Sequence, residues 1–144
     1  MKKFIGIDLG TKTVGISRSD VLGFIHPVDN VRFEYGNYRE ARHKVYEVCD
    51  RYMIYDLVVG FPLQIDRTEG ERCESVKRFV HDIRIDHPEY RIHLFDESYS
   101  TIEAHDRLRE SGYKEEKIKS IIDMYSAVVI LEDFLRNYKG EKSE

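Results

Sequence analysis

Cysteine is scarce in this 144-residue chain: there are two, Cys49 and Cys73. Neither belongs to a C-x-x-C pair or has a histidine in metal-ligand register, which excludes a disulfide scaffold and a zinc ribbon and leaves two reduced, packed thiols. Size makes staples unnecessary, because a chain this long buries roughly two-thirds of the surface its unfolded form exposes. Long hydrophobic runs are absent too. The N-terminal segment meets an acid at Asp8 before any apolar stretch long enough for a signal peptide, and nothing later reaches membrane-spanning length. A soluble, cytoplasmic protein with no membrane partner is expected. An excess of charge is missing as well: 23 Lys and Arg stand against 27 Asp and Glu, a formal net charge of −4, which fits neither an acidic disordered tail nor a basic nucleic-acid glove. The six histidines show no H-x-x-x-H spacing, so surface or ion-pairing roles suit them. With 35% charged and 41% hydrophobic residues, no repeat and no linker, the chain reads as one domain over 1–138 and a charged tail over 139–144.

What is present is a change of period along the chain. Residues 3–9 alternate, with Ile5, Ile7 and Leu9 on one face and Phe4, Gly6, Asp8 and Gly10 on the other, which predicts a strand. A second strand over 14–17 follows after a turn short enough for a hairpin, and a third covers 24–33, where Pro27 favours an edge position. Tyr38, Ala41, Val45, Val48 and Tyr52 then recur at three- and four-residue steps, the mark of an amphipathic helix. Residues 56–61 hold the continuous apolar run of a strand buried on both faces, ended by Pro62. A second helix follows on Cys73, Val76, Val80 and Ile83, then a strand over 91–96. Ser100 and Glu103 have the form of a capping box for a third helix that stops at Gly112, and the last helix runs over 115–138. The order β-β-β-α-β-α-β-α-α implies an α/β fold, a five-stranded mixed sheet with helices packed on it.

Three acids occupy costly or odd places. Asp8 sits inside the first strand between two glycines that leave space beside it, although an aspartate near a hairpin also suits the turn. Asp123 lies in the most apolar helix, where a charge needs a partner or a metal; Ser126 and Ala127 leave room over it, and Lys119 at i−4 is the competing partner. Glu97 follows Asp96 at the end of the fifth strand, where the dipole of the next helix is by itself a sufficient reason for an acid. The ends of strands one and five and the face of the last helix can converge at one rim of such a sheet. Three carboxylates there need positive charge among them, and oxygen ligands without His or Cys suit magnesium or manganese. Two such ions can clamp the attacking and leaving oxygens of a phosphodiester.

The segments Ile5-Gly6-Ile7-Asp8-Leu9-Gly10-Thr11-Lys12-Thr13-Val14-Gly15-Ile16-Ser17, Val59-Gly60-Phe61-Pro62-Leu63, Asp66, Glu69-Gly70, Asp96-Glu97 with Ser100-Thr101, and Ile122-Asp123 with Ala127 resemble the YqgF/RuvX family over almost the whole chain. The resemblance implies a ribonuclease H-like fold, nuclease action on pre-16S ribosomal RNA or on Holliday junctions, and an acidic triad of Asp8, Glu97 and Asp123 acting as catalytic metal ligands for Mg²⁺ or Mn²⁺. Lys12 matches the basic residue after the family's first Gly-Thr. The chain departs from the family at Ser98, where an arginine is usual; Arg67, in the loop over 62–70, offers a replacement phosphate contact.

Nucleic acid, as precursor ribosomal RNA or branched DNA, is thus the expected partner, with the ribosome and a second copy of the chain as further partners. Arg107, Arg109, Lys114, Lys117 and Lys119 lead into the Asp123 helix against Glu110, Glu115 and Glu116, a modest basic excess available to phosphate. The ordinary alternative is a solvated pair of helix ends. Ten tyrosines offer stacking faces, although most suit half-buried packing. Two other functions stay open on the residues alone. Gly6-Ile7-Asp8-Leu9-Gly10-Thr11 also resembles the first phosphate motif of actin-like ATPases and sugar kinases, which need two such domains, and a non-catalytic RNA or ribosome-assembly module is compatible with Ser98.

Overall fold

The alternating N-terminal segments form an antiparallel meander of β1 (Ile5–Leu9), β2 (Thr13–Ser19) and β3 (Ile25–Arg32). The first turn closes through the Gly10 N–H, which donates to the Thr13 carbonyl at 2.8 Å. This geometry comes from a computed structural model that describes residues 1–63, 68–96 and 100–142. After the meander come α1 (Tyr38–Tyr52), β4 (Asp56–Phe61), α2 (Glu71–Asp86), β5 (Arg91–Asp96), α3 (Ser100–Glu110) and α4 (Glu115–Lys142). The strand order is β3-β2-β1-β4-β5, with β1, β4 and β5 parallel, so the sheet is mixed as the element order implies. Pro27, which has no N–H to give a second neighbour, lies on the edge strand β3 opposite Ser17, where the register shifts.

The period-two pattern of β1 sorts its side chains between two layers. Ile5, Ile7 and Leu9 join Val14, Ile16, Leu57 and Val59 under α1 and α2, while Phe4 and Val58 join Ile130, Leu131 and Leu135 of α4 on the other face. Asp8 alternates with Ile7 and Leu9, so it shares the α4 face with Phe4 and Gly6. α4 is apolar nearly all round because it is covered on one side by the sheet and on another by α3. α3 ends as its sequence predicts: Gly112 has φ +93°, and the Tyr113 N–H reaches back to the Leu108 carbonyl at 3.1 Å.

The first three strands differ from their expected bounds by one or two residues at an end, and the last helix differs by more. The sequence places the end of the last helix at 138, whereas α4 continues to Lys142. Residues 139–142 are Lys-Gly-Glu-Lys, three good helix formers around one glycine that disfavours the helix without stopping it as a proline would. Both cysteines are buried and unbridged, as composition implies. Among the described residues, no helix is long and apolar enough to cross a membrane.

Candidate active site

Parallel strands β1, β4 and β5 share one C-terminal edge, the side of an open α/β sheet where ligands bind. Asp8 is the penultimate residue of β1 at that edge, and it is only 3% exposed. Its register partner on β2 is Gly15. A Cβ at Gly15 would overlap the backbone carbonyl of Asp123, so only hydrogen fits between β2 and α4 there. Asp8 and Asp123 are therefore neighbours across a single glycine, although 115 positions separate them in sequence.

The Asp123 carboxylate, half-buried, accepts a hydrogen bond from the Thr13 hydroxyl. This replaces the Lys119 pairing that the i−4 spacing allows: the lysine is exposed on the outer side of α4, and the β1–β2 hairpin delivers Thr13 instead. Arg72, the second residue of α2, donates through Nη2 to the Leu9 carbonyl at 2.8 Å and holds the same nitrogen 3.8 Å from Asp8 Oδ1. Arg72 is half exposed, so the pair adds little to stability. Its consequence is positive charge beside a buried carboxylate.

Two sequence expectations about space are corrected. Gly6 does not leave an opening beside Asp8, because a Cβ there would strike Ser17, Leu131 and Ala127. Nor do Ser126 and Ala127 leave room over Asp123. Both are fully buried, and the Ala127 carbonyl accepts a 2.8 Å hydrogen bond from Ser17 Oγ. The small residues serve close approach of α4 to the sheet, which is what seats Asp123 at the rim.

The expected phosphate contacts divide. Lys12, at the β1–β2 turn, and Lys114, Lys117 and Lys119, at the start of α4, are exposed, and none takes part in an ion pair among the described residues. Arg107 is committed elsewhere: it donates to Glu132 at 2.6 Å and to Glu103 at 2.9 Å, tying α3 to α4, and the Glu132 carboxylate pushes its pKa up. Arg109 donates through two nitrogens to Glu115 and holds that carboxyl below its ordinary value. Their charge is met within the chain, which the basic excess of the segment does not reveal. Glu97 and Arg67 lie outside the described residues.

Thr13, Gly15 and Arg72 are the residues that reading the sequence missed. Arg72 left a trace, because a cation in the first turn of a helix opposes the helix dipole. Thr13 and Gly15 stand in the first family-like segment without a role of their own, since that role comes from a helix that arrives more than a hundred residues later. Among the described residues no group of three or more His, Cys, Asp and Glu forms a metal cage. Asp8 and Asp123 nevertheless supply two hard oxygen donors at one rim, a donor set that fits a hard divalent cation and not a soft one.

Solved structures share this architecture. The RuvC protein of T. thermophilus in complex with a Holliday junction substrate superposes with a TM-score of 0.56 over 95% of this chain and 96% of that one, at 13% identity. The Fowlpox virus resolvase in complex with Holliday junction DNA gives 0.54 over 94% and 97%, at 10% identity. At such identities the likeness establishes the fold, which is ribonuclease H-like. Sequence relatives are nearer. A protein of Ruminiclostridium cellulolyticum named "Putative pre-16S rRNA nuclease" is 31% identical over 97% of this chain and 98% of its own length. Proteins with the same name from Lachnospira eligens and a Geobacillus species are 34% and 35% identical, covering 94% and 92% of this chain and 97% and 96% of their own. The model of the RuvX family, described as Holliday junction resolvase, matches residues 2–137, and with relatives this similar along nearly the entire length, the chain belongs to the RuvX family.

Proposed function

We propose that this chain is a divalent-metal-dependent endonuclease that hydrolyses phosphodiester bonds in structured nucleic acid, and that its substrate is the 5′ end of precursor 16S ribosomal RNA in the cytoplasm. The observation that carries the reading is the meeting of Asp8 and Asp123 across Gly15 at the C-terminal edge of the sheet. Asp8, Asp123 and Glu97 are the proposed ligands for magnesium or manganese. A cation held there supplies charge against the phosphate and acidifies water. The chain's own residues do the placing. Thr13 fixes one carboxylate by its hydroxyl, and Arg72, anchored on the Leu9 carbonyl, brings charge to the other. In the reaction a water oxygen attacks phosphorus while the bridging P–O bond opposite it breaks, and the leaving oxygen takes up a proton. Lys12, Arg67, Lys114, Lys117 and Lys119 are the proposed contacts to neighbouring phosphates.

A second reading is favoured by the description that the family model carries: resolution of Holliday junctions. Symmetric cleavage of a four-way junction needs two active sites, hence a homodimer. The names of the full-length relatives favour ribosomal RNA, and with it an association with the maturing ribosome. A magnesium-dependent cleavage panel separates the two. Precursor 16S RNA is expected to be cut at a discrete position while a four-way DNA junction survives. Symmetric incision of the junction with intact RNA would reverse the assignment.

A further inference from the structure

The basic charge that the sequence assigns to α3 and the start of α4 is partly spent on ion pairs, which raises the question of where uncommitted charge lies. α1 and α2 run side by side, stitched where Arg42 meets Asp82 at 3.4 Å and Asp86 at 3.3 Å, and where Tyr46 donates to Asp86 at 2.6 Å. Toward the catalytic rim α2 extends beyond the start of α1, and the seam opens into a shallow cavity of about 530 Å³ lined by Tyr38, Glu74, Ser75, Lys77, Arg78 and His81. That volume is within the range of roughly 300–1,000 Å³ for small-ligand clefts and admits a nucleotide. Arg78 and His81 are exposed and have no hydrogen bond or ion pair among the described residues. Lys77 is held by Glu69 and Glu74, so the cation left for a ligand is Arg78, with the His81 imidazole beside it as a hydrogen-bonding group.

The cavity lies on the α1–α2 face of the sheet and approaches the rim that carries Asp8 at two points. Gly36, at its upper edge, donates its N–H to the Thr11 carbonyl in the β1–β2 turn at 3.1 Å. On the α2 side, Arg78 follows Arg72 by six residues, roughly 9 Å along the helix axis at about 1.5 Å per residue. That spacing sets the cavity a short stretch of strand away from the residue that faces Asp8. The geometry points to a strand-binding subsite: the α1–α2 cavity takes the nucleic-acid strand as it leaves the active site, with a phosphate on Arg78 and His81 and a base against the ring of Tyr38. The identity of the ligand rests on the nuclease reading above. The subsite requires only a phosphodiester strand long enough to reach it.

The test is binding of a fluorescein-labelled RNA dodecamer, and of DNA of the same sequence, to the full-length protein by anisotropy across a salt series, in EDTA so that no cleavage intervenes. Arg78→Glu is expected to weaken binding about tenfold and to lower the slope of log affinity against log salt by about 1, while Arg78→Lys recovers most of the loss and Arg84→Glu, exposed on another side of the same helix, stays within about twofold of wild type. Unchanged binding by Arg78→Glu, or equal losses from Arg78→Glu and Arg84→Glu, overturns the subsite whether or not the protein cuts. Failure of the wild type to bind either strand overturns the subsite alone, because the nuclease reading concerns structured nucleic acid in magnesium and is tested by the cleavage panel. The expected Arg78 effect in a protein that cleaves no substrate in magnesium leaves the subsite standing and removes the nuclease reading.

Discussion

Gly15 matters for what it lacks. Its missing side chain is the gap through which the backbone of Asp123 reaches β2 and comes beside Asp8. Gly15→Ala is therefore expected to push α4 off the sheet at that point, costing about 1–3 kcal/mol in urea unfolding, the ordinary range for overpacking a tight interior. Metal-dependent cleavage is expected to fall further than the lost stability explains, and an unchanged unfolding midpoint would show that the close approach is not there. The acids themselves were legible in the sequence because each is locally anomalous: Asp8 inside an alternating strand and Asp123 inside an apolar helix. Thr13 and Arg72 were not legible as site residues. A threonine in a hairpin turn is unremarkable until its hydroxyl meets a carboxylate 110 residues away, and Arg72 acquires its role only when α2 starts above the end of β1.

At the scale of elements, hydrophobic period and punctuation carried most of the fold. Pro27 marked the edge strand, the run at Leu57, Val58 and Val59 marked a strand covered on both faces, and Gly112 marked the end of α3. The end of α4 was less clear, because a charged segment looks alike whether it frays or continues as helix. Charges posed the same difficulty between elements. Arg107 counts as available cation in sequence, yet Glu132, 25 residues further on and one helix away, claims it. Arg107→Ala is expected to lower stability by about 1 kcal/mol, in keeping with a partly buried pair, and to leave affinity for RNA within about twofold of wild type. Chemical denaturation and the anisotropy titration check the two halves separately. A large loss of affinity with unchanged stability would return Arg107 to the phosphate contacts.

The whole molecule carries a formal −4, which by itself repels nucleic acid. Two divalent cations would cancel that charge, so the mild acidity is compatible with a nuclease whose acids are metal ligands. The same fold explains why those acids sit together: three parallel strand ends form one rim, and α4 lies across the sheet close enough to add a carboxylate from the opposite end of the chain. The most direct measurement is single-turnover cleavage of precursor 16S RNA in magnesium by wild type and by Asp8→Asn, with circular dichroism on both. The expected result is cleavage by the wild type, abolished by EDTA, and a drop of about a thousandfold or more in the variant, about 4 kcal/mol in barrier, with unchanged secondary structure. Cleavage by Asp8→Asn at the wild-type rate would contradict the assignment of the site.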